Sequence, residues 1–352
     1  MSIFSDNLDA FGLDLSDRSI KVAQLKKNEN GMYLYAYGRE SVPKGLIEDG
    51  EIKNKEEVSR LIRKALLNSK PNSIKSRFVV YSIPEPKGFV RIIRVPRVKE
   101  DEIREIVEQE AEQQFPIEIS ESYLDWQILS KDGETLSVLI AAVPRQLVDS
   151  YSSVLRAAGL RPVAAEIESI AITRSLIKEN QSSRPILIID LGKDRTSFII
   201  FKNPAVQFTA SIPVCGRELN RAVARKLGIS EEEAEKIRKE CGLKREGKCA
   251  EIYEAVESSL LEMIAYIDKL TDYYKEHFES EDISKVVICG GEARVEGINS
   301  FLSLKIKKEV EKGNPWVNII SSERKEIPLI SRDESLIFVT VLGLAIRGVE
   351  KF

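Results

Sequence analysis

One short segment occurs twice in this chain, and it limits the possible folds more than any other feature. Near the start stands Phe11-Gly-Leu-Asp14-Leu-Ser16-Asp17-Arg18-Ser19-Ile-Lys-Val22. In the second half stands Leu187-Ile-Ile-Asp190-Leu-Gly192-Lys193-Asp194-Arg195-Thr196-Ser-Phe-Ile-Ile200. Each copy is an apolar run ending in Asp-Leu, then a polar turn with Asp-Arg-Ser or Asp-Arg-Thr, then a second apolar run. A further strand-like stretch follows each, Met32–Tyr37 and Ala205–Ile212. Apolar runs bounded by turn residues predict buried strands, so the unit is a β-hairpin with a carboxylate at the base of its turn. Two such hairpins facing one another would surround one cleft with two aspartates and two polar turns. Turn N–H groups and hydroxyls suit phosphate oxygens, and the aspartates suit a hydrated divalent cation. The duplication therefore predicts a two-lobed nucleotide-binding core.

Composition narrows the alternatives. At 352 residues the chain has room for two or three domains, and 43% hydrophobic residues suffice for a packed core. The formal net charge is −3 with both signs interspersed, so no basic tract serves nucleic acid or an anionic membrane. No apolar run approaches the ~18 residues of a membrane-spanning helix, and the acidic N-terminal stretch does not resemble a signal peptide. Cys215, Cys241, Cys249 and Cys289 show no CxxC spacing, so unpaired thiols are expected rather than zinc or disulfides. The single histidine, His277, is expected on a helix surface.

Between the repeats, a helix over 56–67 turns Val58, Leu61, Ile62, Ala65 and Leu66 to one face. Strands are expected over 77–83 and 88–95, then an acid-led helix over 99–114 stopped by Pro116. A hairpin over 123–129 and 136–142 and a helix over 146–158 complete a β-β-α-β-β-α block at 77–162. After the second hairpin come helices at 216–227, from Ser230, and over 250–278. A strand at 285–289, a helix near 298–304 and one helix from Glu334 close the chain.

The third chemical segment is Val286-Val-Ile-Cys289-Gly290-Gly291-Glu292-Ala293, a strand running through Gly-Gly towards a helix. Without Cβ atoms there, a flat or phosphorylated ligand can approach the backbone closely. This order of hairpin, insertion, hairpin, long helices and strand-Gly-Gly-helix resembles the actin, Hsp70 and hexokinase superfamily. The fold implied is α/β, actin-like (ribonuclease H-like) and two-lobed.

Further stretches resemble the PilM family, the actin-like proteins of type IV pilus assembly. They are Glu102-Ile-Arg-Glu-Ile-Val-Glu-Gln-Glu110 through Phe115-Pro116 to Leu124-Asp125-Trp126, and Leu139-Ile-Ala-Ala-Val-Pro144 through Gly159-Leu-Arg-Pro162 to Glu166-Ile-Glu168-Ser-Ile-Ala171. The cell-division protein FtsA shares a related insertion but normally ends in a flexible tail and a membrane-targeting helix. This sequence stops at Gly348-Val-Glu-Lys-Phe352, and that disfavours it.

The resemblance implies subdomain 1A over 1–76, 163–184 and 334–352, an SHS2-like subdomain 1C over 77–162, 2A over 185–225 and 280–333, and 2B over 226–279. ATP or ADP with Mg2+ would be the cofactor. Asp14 and Asp190 would hold the metal through water. Ser16, Asp17, Arg18 and Ser19 would form one phosphate loop, and Gly192, Lys193, Asp194, Arg195 and Thr196 the other. Glu235, Arg238, Gly290, Gly291 and Glu292 would border the nucleoside, and Glu168 would stand where relatives orient attacking water. The partner implied is the cytoplasmic N-terminal peptide of a PilN-like inner-membrane protein, held where 1C joins 1A, besides other pilus assembly proteins. The chain would be cytoplasmic and reach the membrane only through that partner.

Two departures bear on activity. The first phosphate loop carries Asp17 and Arg18 where the superfamily has glycine and small hydroxyl residues, and the second carries Lys193, Asp194 and Arg195. Aspartates there would repel phosphate and crowd the site, so nucleotide binding with slow or no hydrolysis is expected. The alternative reading is an active ATPase or small-molecule kinase of the same fold.

Overall fold

The computed structural model describes residues 9–29, 31–99, 102–278, 281–320 and 329–350. The chain opens with strands β1 (Phe11–Leu15), β2 (Ser19–Asn28) and β3 (Gly31–Ser41), then the small pair β4 (Ile47–Glu48) and β5 (Glu51–Ile52). Helix α1 (Lys55–Leu67), β6 (Lys70–Pro71), β7 (Phe78–Ile83) and β8 (Phe89–Pro96) follow. Next come α2 (Ile103–Gln114), β9 (Ser122–Asp132), β10 (Thr135–Pro144), α3 (Arg145–Ala157), β11 (Arg161–Ile167) and α4 (Glu168–Leu176). The second half contains β12 (Ile186–Leu191), β13 (Thr196–Lys202), β14 (Ala205–Ile212), α5 (Gly216–Leu227), α6 (Glu231–Cys241) and α7 (Cys249–Phe278). It closes with β15 (Lys285–Cys289), α8 (Ile298–Ile306), β16 (Val310–Lys312), α9 (Arg332–Ser335) and α10 (Val339–Val349).

These elements form two compact units. One comprises Met1–Asn180, Pro315–Ile330 and Phe338–Phe352, the other Gln181–Asn314 and Ser331–Ile337. The first unit is built on a six-stranded sheet ordered β11-β7-β1-β2-β3-β6. Phe11, Leu13 and Leu15 alternate towards a core shared with α1 and α3, through Val58, Leu61, Ile62, Tyr151, Val154 and Leu155. The other face packs Ala10 and Val80 against Ala171 of α4 and Leu344 of α10. β1 is thus buried on both faces, with Gly12 and the buried Asp14 between its large apolar residues.

The expected inserted block is divided between two sheets. Its first strand, β7, lies parallel to β1 in the six-stranded sheet, and its last helix, α3, packs on that sheet's core. Only β8, β9 and β10 form a separate antiparallel sheet, ordered β8-β10-β9 and backed by Ile103, Val107 and Ala111 of α2. Local periodicity predicts each element but carries no information about which sheet a strand joins. The expected helix over 99–114 runs from Ile103, and residues 100 and 101 lie outside the described residues.

The second unit repeats the first unit's pattern. Its sheet is ordered β14-β13-β12-β15-β16. The middle strand β12 pairs antiparallel with β13 and parallel with β15, as β1 does with β2 and β7. The long helix α7 places aromatic rings on this sheet, Tyr266 on Phe198 and Tyr273 on Phe208. His277, on the surface as expected, stacks on Tyr273.

Two expectations are corrected. Cys241 and Cys249 form a disulfide with their Cα atoms 5.3 Å apart, whereas Cys215 and Cys289 are buried free thiols. The intervening loop folds back through Gly242 and Gly247, both at positive φ, and that return is invisible in the spacing. The single helix expected from Glu334 is broken by a 3₁₀ turn at Leu336–Phe338, with α9 in the second unit and α10 in the first.

Helix α10 docks so closely that side chains are excluded at the contact. A Cβ on Gly343 would lie 1.8 Å from the Ala171 carbonyl oxygen, and one on Gly12 2.5 Å from that of Val341. Both obstacles are backbone, so relief requires the helix to move. Gly343→Ala is therefore expected to lower stability by about 2 kcal/mol or more, measured by urea unfolding.

Candidate functional site

In the first unit, β1 carries Asp14 one residue before its end, opposite Lys21 in the hairpin register. Asp14 is 4% exposed. Lys21 Nζ donates to its Oδ2 at 2.6 Å, and Ser82 Oγ at the end of β7 donates to its Oδ1 at 3.0 Å. A carboxylate this buried requires such partners, since an unpaired buried charge costs several kcal/mol. The turn itself is closed by Ser16 and Ser19, whose backbone and hydroxyl groups bond one another. Asp17 turns aside: its carboxylate accepts the N–H groups of Asp49 and Gly50 at 3.0 and 2.9 Å. It braces the β4–β5 turn and is occupied there.

Glu168, at the start of α4, is 7% exposed and accepts the Glu85 N–H at 3.0 Å. Glu85 in turn accepts the Ser169 N–H at 2.9 Å. Each carboxylate thus satisfies the helix-start N–H beside the other, and neither is positioned as a solvent-facing base.

The second unit places Asp190 in the equivalent position of β12, paired in register with Cys289 of β15. Cys289 Sγ approaches Asp190 Oδ1 at 3.8 Å, the contact that Ser82 makes to Asp14. Burial, reinforced by Asp190, pushes the Cys289 thiol well above its usual range. Gly290 follows at φ +88°, and a Cβ there would lie 2.3 Å from Asp190 Oδ1, so glycine is required. The correspondence extends further along the chain. Ser82-Ile-Pro-Glu85 enters a 3₁₀ turn after β7, as Cys289-Gly-Gly-Glu292 does after β15.

The charged residues of the second turn are held sideways. Asp194 is gripped by Arg217 of α5 through Nε at 2.8 Å and through Nη2. Lys193 donates to Glu235 of α6 at 2.7 Å, and Lys239 donates to the same carboxylate. Burial raises the Glu235 carboxyl, but hydrogen bonds from the two lysines outweigh it and hold it at about 2. The start of α5 is tied to the same turn through Gly216 N–H to Gly192 O and Arg217 N–H to Lys193 O. Thr196 Oγ1 donates to Val214 O.

Arg238 is not a solvated helix residue. It is 1% exposed, with Nη1 2.7 Å from Glu292 and Nε donating to Asn220 Oδ1 at 2.8 Å. Its Nη2 has no acceptor among the described residues. Beside the pair is a cavity of about 20 Å³, room for one water, walled by Thr196, Cys215, Val256, Leu260 and Met263. The second unit thus brings together Gly192–Thr196, Glu235, Arg238 and Glu292.

Magnesium fits poorly at Asp14, because both carboxylate oxygens already hold donors and one is an ammonium. Among the described residues, no three His, Cys, Asp or Glu side chains gather as metal ligands. Sequence reasoning missed Lys21, Ser82, Glu85, Arg217 and Asn220. Two signals were present: Lys21 sits directly across the hairpin from Asp14, and the Ser82-x-x-Glu85 spacing recurs as Cys289-x-x-Glu292.

Two outcomes test this geometry. Glu292→Gln strands a buried guanidinium and should cost about 3–5 kcal/mol in urea unfolding, whereas the double variant Arg238→Met with Glu292→Leu should cost much less. Glu235 has a depressed folded value, so its stabilisation is full above pH 4.5 and fades as pH falls towards 2. The difference in melting temperature between the parent chain and Glu235→Gln should stay constant above about pH 5 and shrink below pH 4.5.

A family model described as type IV pilus assembly protein PilM matches residues 12–349. Among solved structures, the chain is similar to the PilM-PilN type IV pilus biogenesis complex, with a TM-score of 0.82 and 24% identity over 98% of this chain and 99% of that one. Ethanolamine utilization protein EutJ from Carboxydothermus hydrogenoformans aligns with a TM-score of 0.57 and 16% identity, covering 96% of this chain and 88% of that one. MreB5 of Spiroplasma citri bound to AMPPNP aligns with 0.54 and 15%, covering 96% and 95%. These likenesses show that the α/β fold is actin-like, as the resemblance to the actin superfamily implies. Matched over nearly its whole length, the chain belongs to the PilM family of type IV pilus assembly proteins.

Proposed function

We propose that this protein is an adenine-nucleotide-binding scaffold of type IV pilus assembly that recruits an inner-membrane partner and turns nucleotide over slowly or not at all. The observation that carries the reading is the family match over a sheet that repeats one Asp hairpin and one strand-to-Glu turn. Within the second unit, ATP or ADP would set its phosphates at the Gly192–Thr196 turn and its nucleoside beside Gly290–Glu292, Glu235 and Arg238. Two nucleotide-bound relatives of the fold support this, the MreB5 structures with AMPPNP and with ADP. Slow turnover is supported by Glu168, which is 7% exposed and accepts the Glu85 N–H.

The partner reading rests on the PilM-PilN complex as the similar structure. We assign the N-terminal cytoplasmic peptide of a PilN-like protein to the first unit, where the β8-β10-β9 sheet, the proposed 1C subdomain, meets α3. A groove of about 520 Å³ lies there, lined by Ile117, Glu118, Glu121, Ser122, Pro144 and Arg145. Its open form suits an extended peptide with a few apolar anchors. No helix of the described residues is long and apolar enough to cross a membrane, and a tethering peptide would bring the chain to the inner membrane without one.

ATP or ADP, tested with and without Mg2+, should raise the melting temperature, and Asp190→Ala should remove at least half of that rise. A PilN-type peptide should bind in titration calorimetry, and Ile117→Glu should weaken it about tenfold or more with the circular dichroism unchanged. Absence of any nucleotide shift at millimolar concentration would refute the nucleotide site. Fast ATP turnover abolished by Glu168→Ala would replace the scaffold with an enzyme.

A further inference from the structure

The disulfide joins the ends of the two helices that supply Arg238 and part of the cavity wall beside it. On α6, the buried stripe runs Ala234, Arg238, Cys241, the i, i+4, i+7 spacing of one helix face. Cys241 is therefore one turn beyond Arg238 on the same side. Its partner, Cys249, is the first residue of α7, and farther along that helix Val256, Leu260 and Met263 line the cavity beside Arg238. The bond joins the last residue of one wall to the first residue of the other.

Without the bond, the covalent link between the two packed helices is the loop at 242–248, whose residues 244–248 are exposed and whose Arg245 donates to Tyr253 of α7. That loop is also stitched to the turn carrying Glu292. Leu243 N–H donates to Glu296 O at 2.9 Å, and Lys244 Nζ lies 2.9 Å from the Glu296 carboxylate. The Arg238 carbonyl is capped by the Gly242 N–H, so Arg238 belongs to the turn that would fray first. Opening the crosslink loosens the register of the buried Arg238–Glu292 pair.

We propose that Cys241–Cys249 is a reversible thiol–disulfide latch that regulates nucleotide affinity in the second unit, the closed form binding more tightly. This rests on the nucleotide reading above. The reductant is a small-molecule thiol such as glutathione. Its thiolate attacks Sγ of Cys249, the half-buried sulfur, and Cys241, 1% exposed, leaves as a thiolate and takes up a proton. A second thiol attacks the mixed disulfide, releasing Cys249 as a thiol and the small molecule as its own disulfide. Two electrons pass from two thiols to one protein disulfide, and the reverse reaction closes the latch. Cys215 and Cys289 stay out of the exchange, because burial raises both thiols and keeps them from the reactive thiolate form.

The full chain is equilibrated in glutathione buffers of opposite poise, quenched with acid and alkylated under denaturing conditions that expose the buried Cys215 and Cys289, and its free thiols are counted by mass spectrometry. ADP affinity is then measured in each state by calorimetry. The expected result is two free thiols in the oxidised state and four in the reduced one, with ADP bound at least about fivefold tighter when oxidised. The Cys241→Ala, Cys249→Ala double variant should match the reduced parent in either buffer. Trypsin should cut at Lys244, Arg245 or Lys248 faster once the latch is open. Equal ADP affinity in the two states overturns the latch while leaving the nucleotide reading intact. Four free thiols under oxidised glutathione overturn it as well, and no ADP binding in either state overturns both readings.

Discussion

A carboxylate at the end of a buried middle strand is the constraint around which each unit is arranged. In the first unit Asp14 is almost fully enclosed, so its two oxygens must find donors within the protein. That need accounts for Lys21 across the hairpin and for Ser82 at the tip of the neighbouring parallel strand. Those donors fix the register of β1 with β2 and set where β7 must end. In the second unit Asp190 is only partly buried, with Cys289 Sγ and a glycine close against its carboxylate. The two halves share a topology but differ in how deeply the carboxylate is enclosed.

The charged residues in the turns read differently once their partners are known. From sequence, Asp17 and Asp194 would repel a phosphate at the loop, and Lys193 would crowd it. In the structure Asp17 is bound to backbone N–H groups, Asp194 to Arg217 and Lys193 to Glu235. Each belongs to a pairing with a neighbouring element rather than to the turn. Charge on a loop is thus a poor guide to the field at a site, because a partner distant in sequence can cancel it.

How much of this was legible depended on the range of the interaction. The hairpins, the helices at 55–67 and 249–278 and the strand before Gly290 arise from local periodicity and turn chemistry, and they stand where the pattern puts them. The proposed nucleoside-site residues Glu235, Arg238 and Glu292 were nameable from the family resemblance, and the fold places the three in one unit. Asn220, Arg217 and the Cys241–Cys249 bond were not, since each depends on elements brought together only by packing. That β7 belongs to the larger sheet was not legible for the same reason: a strand's sequence states its faces, not its neighbours.

The contact between Gly12 and α10 joins almost the two ends of the described chain. Ribosomal synthesis delivers β1 long before α10, with the whole second unit emerging between them. The first unit's middle strand therefore has one face covered only in part, by α4, until α10 has been made, while the second unit's five-stranded sheet is finished before that helix. Assembly in the cell must run from the inside of the sequence outwards. The sheet face that carries Ala10, Gly12 and Val80 is the surface that a nascent-chain chaperone would have to shield longest.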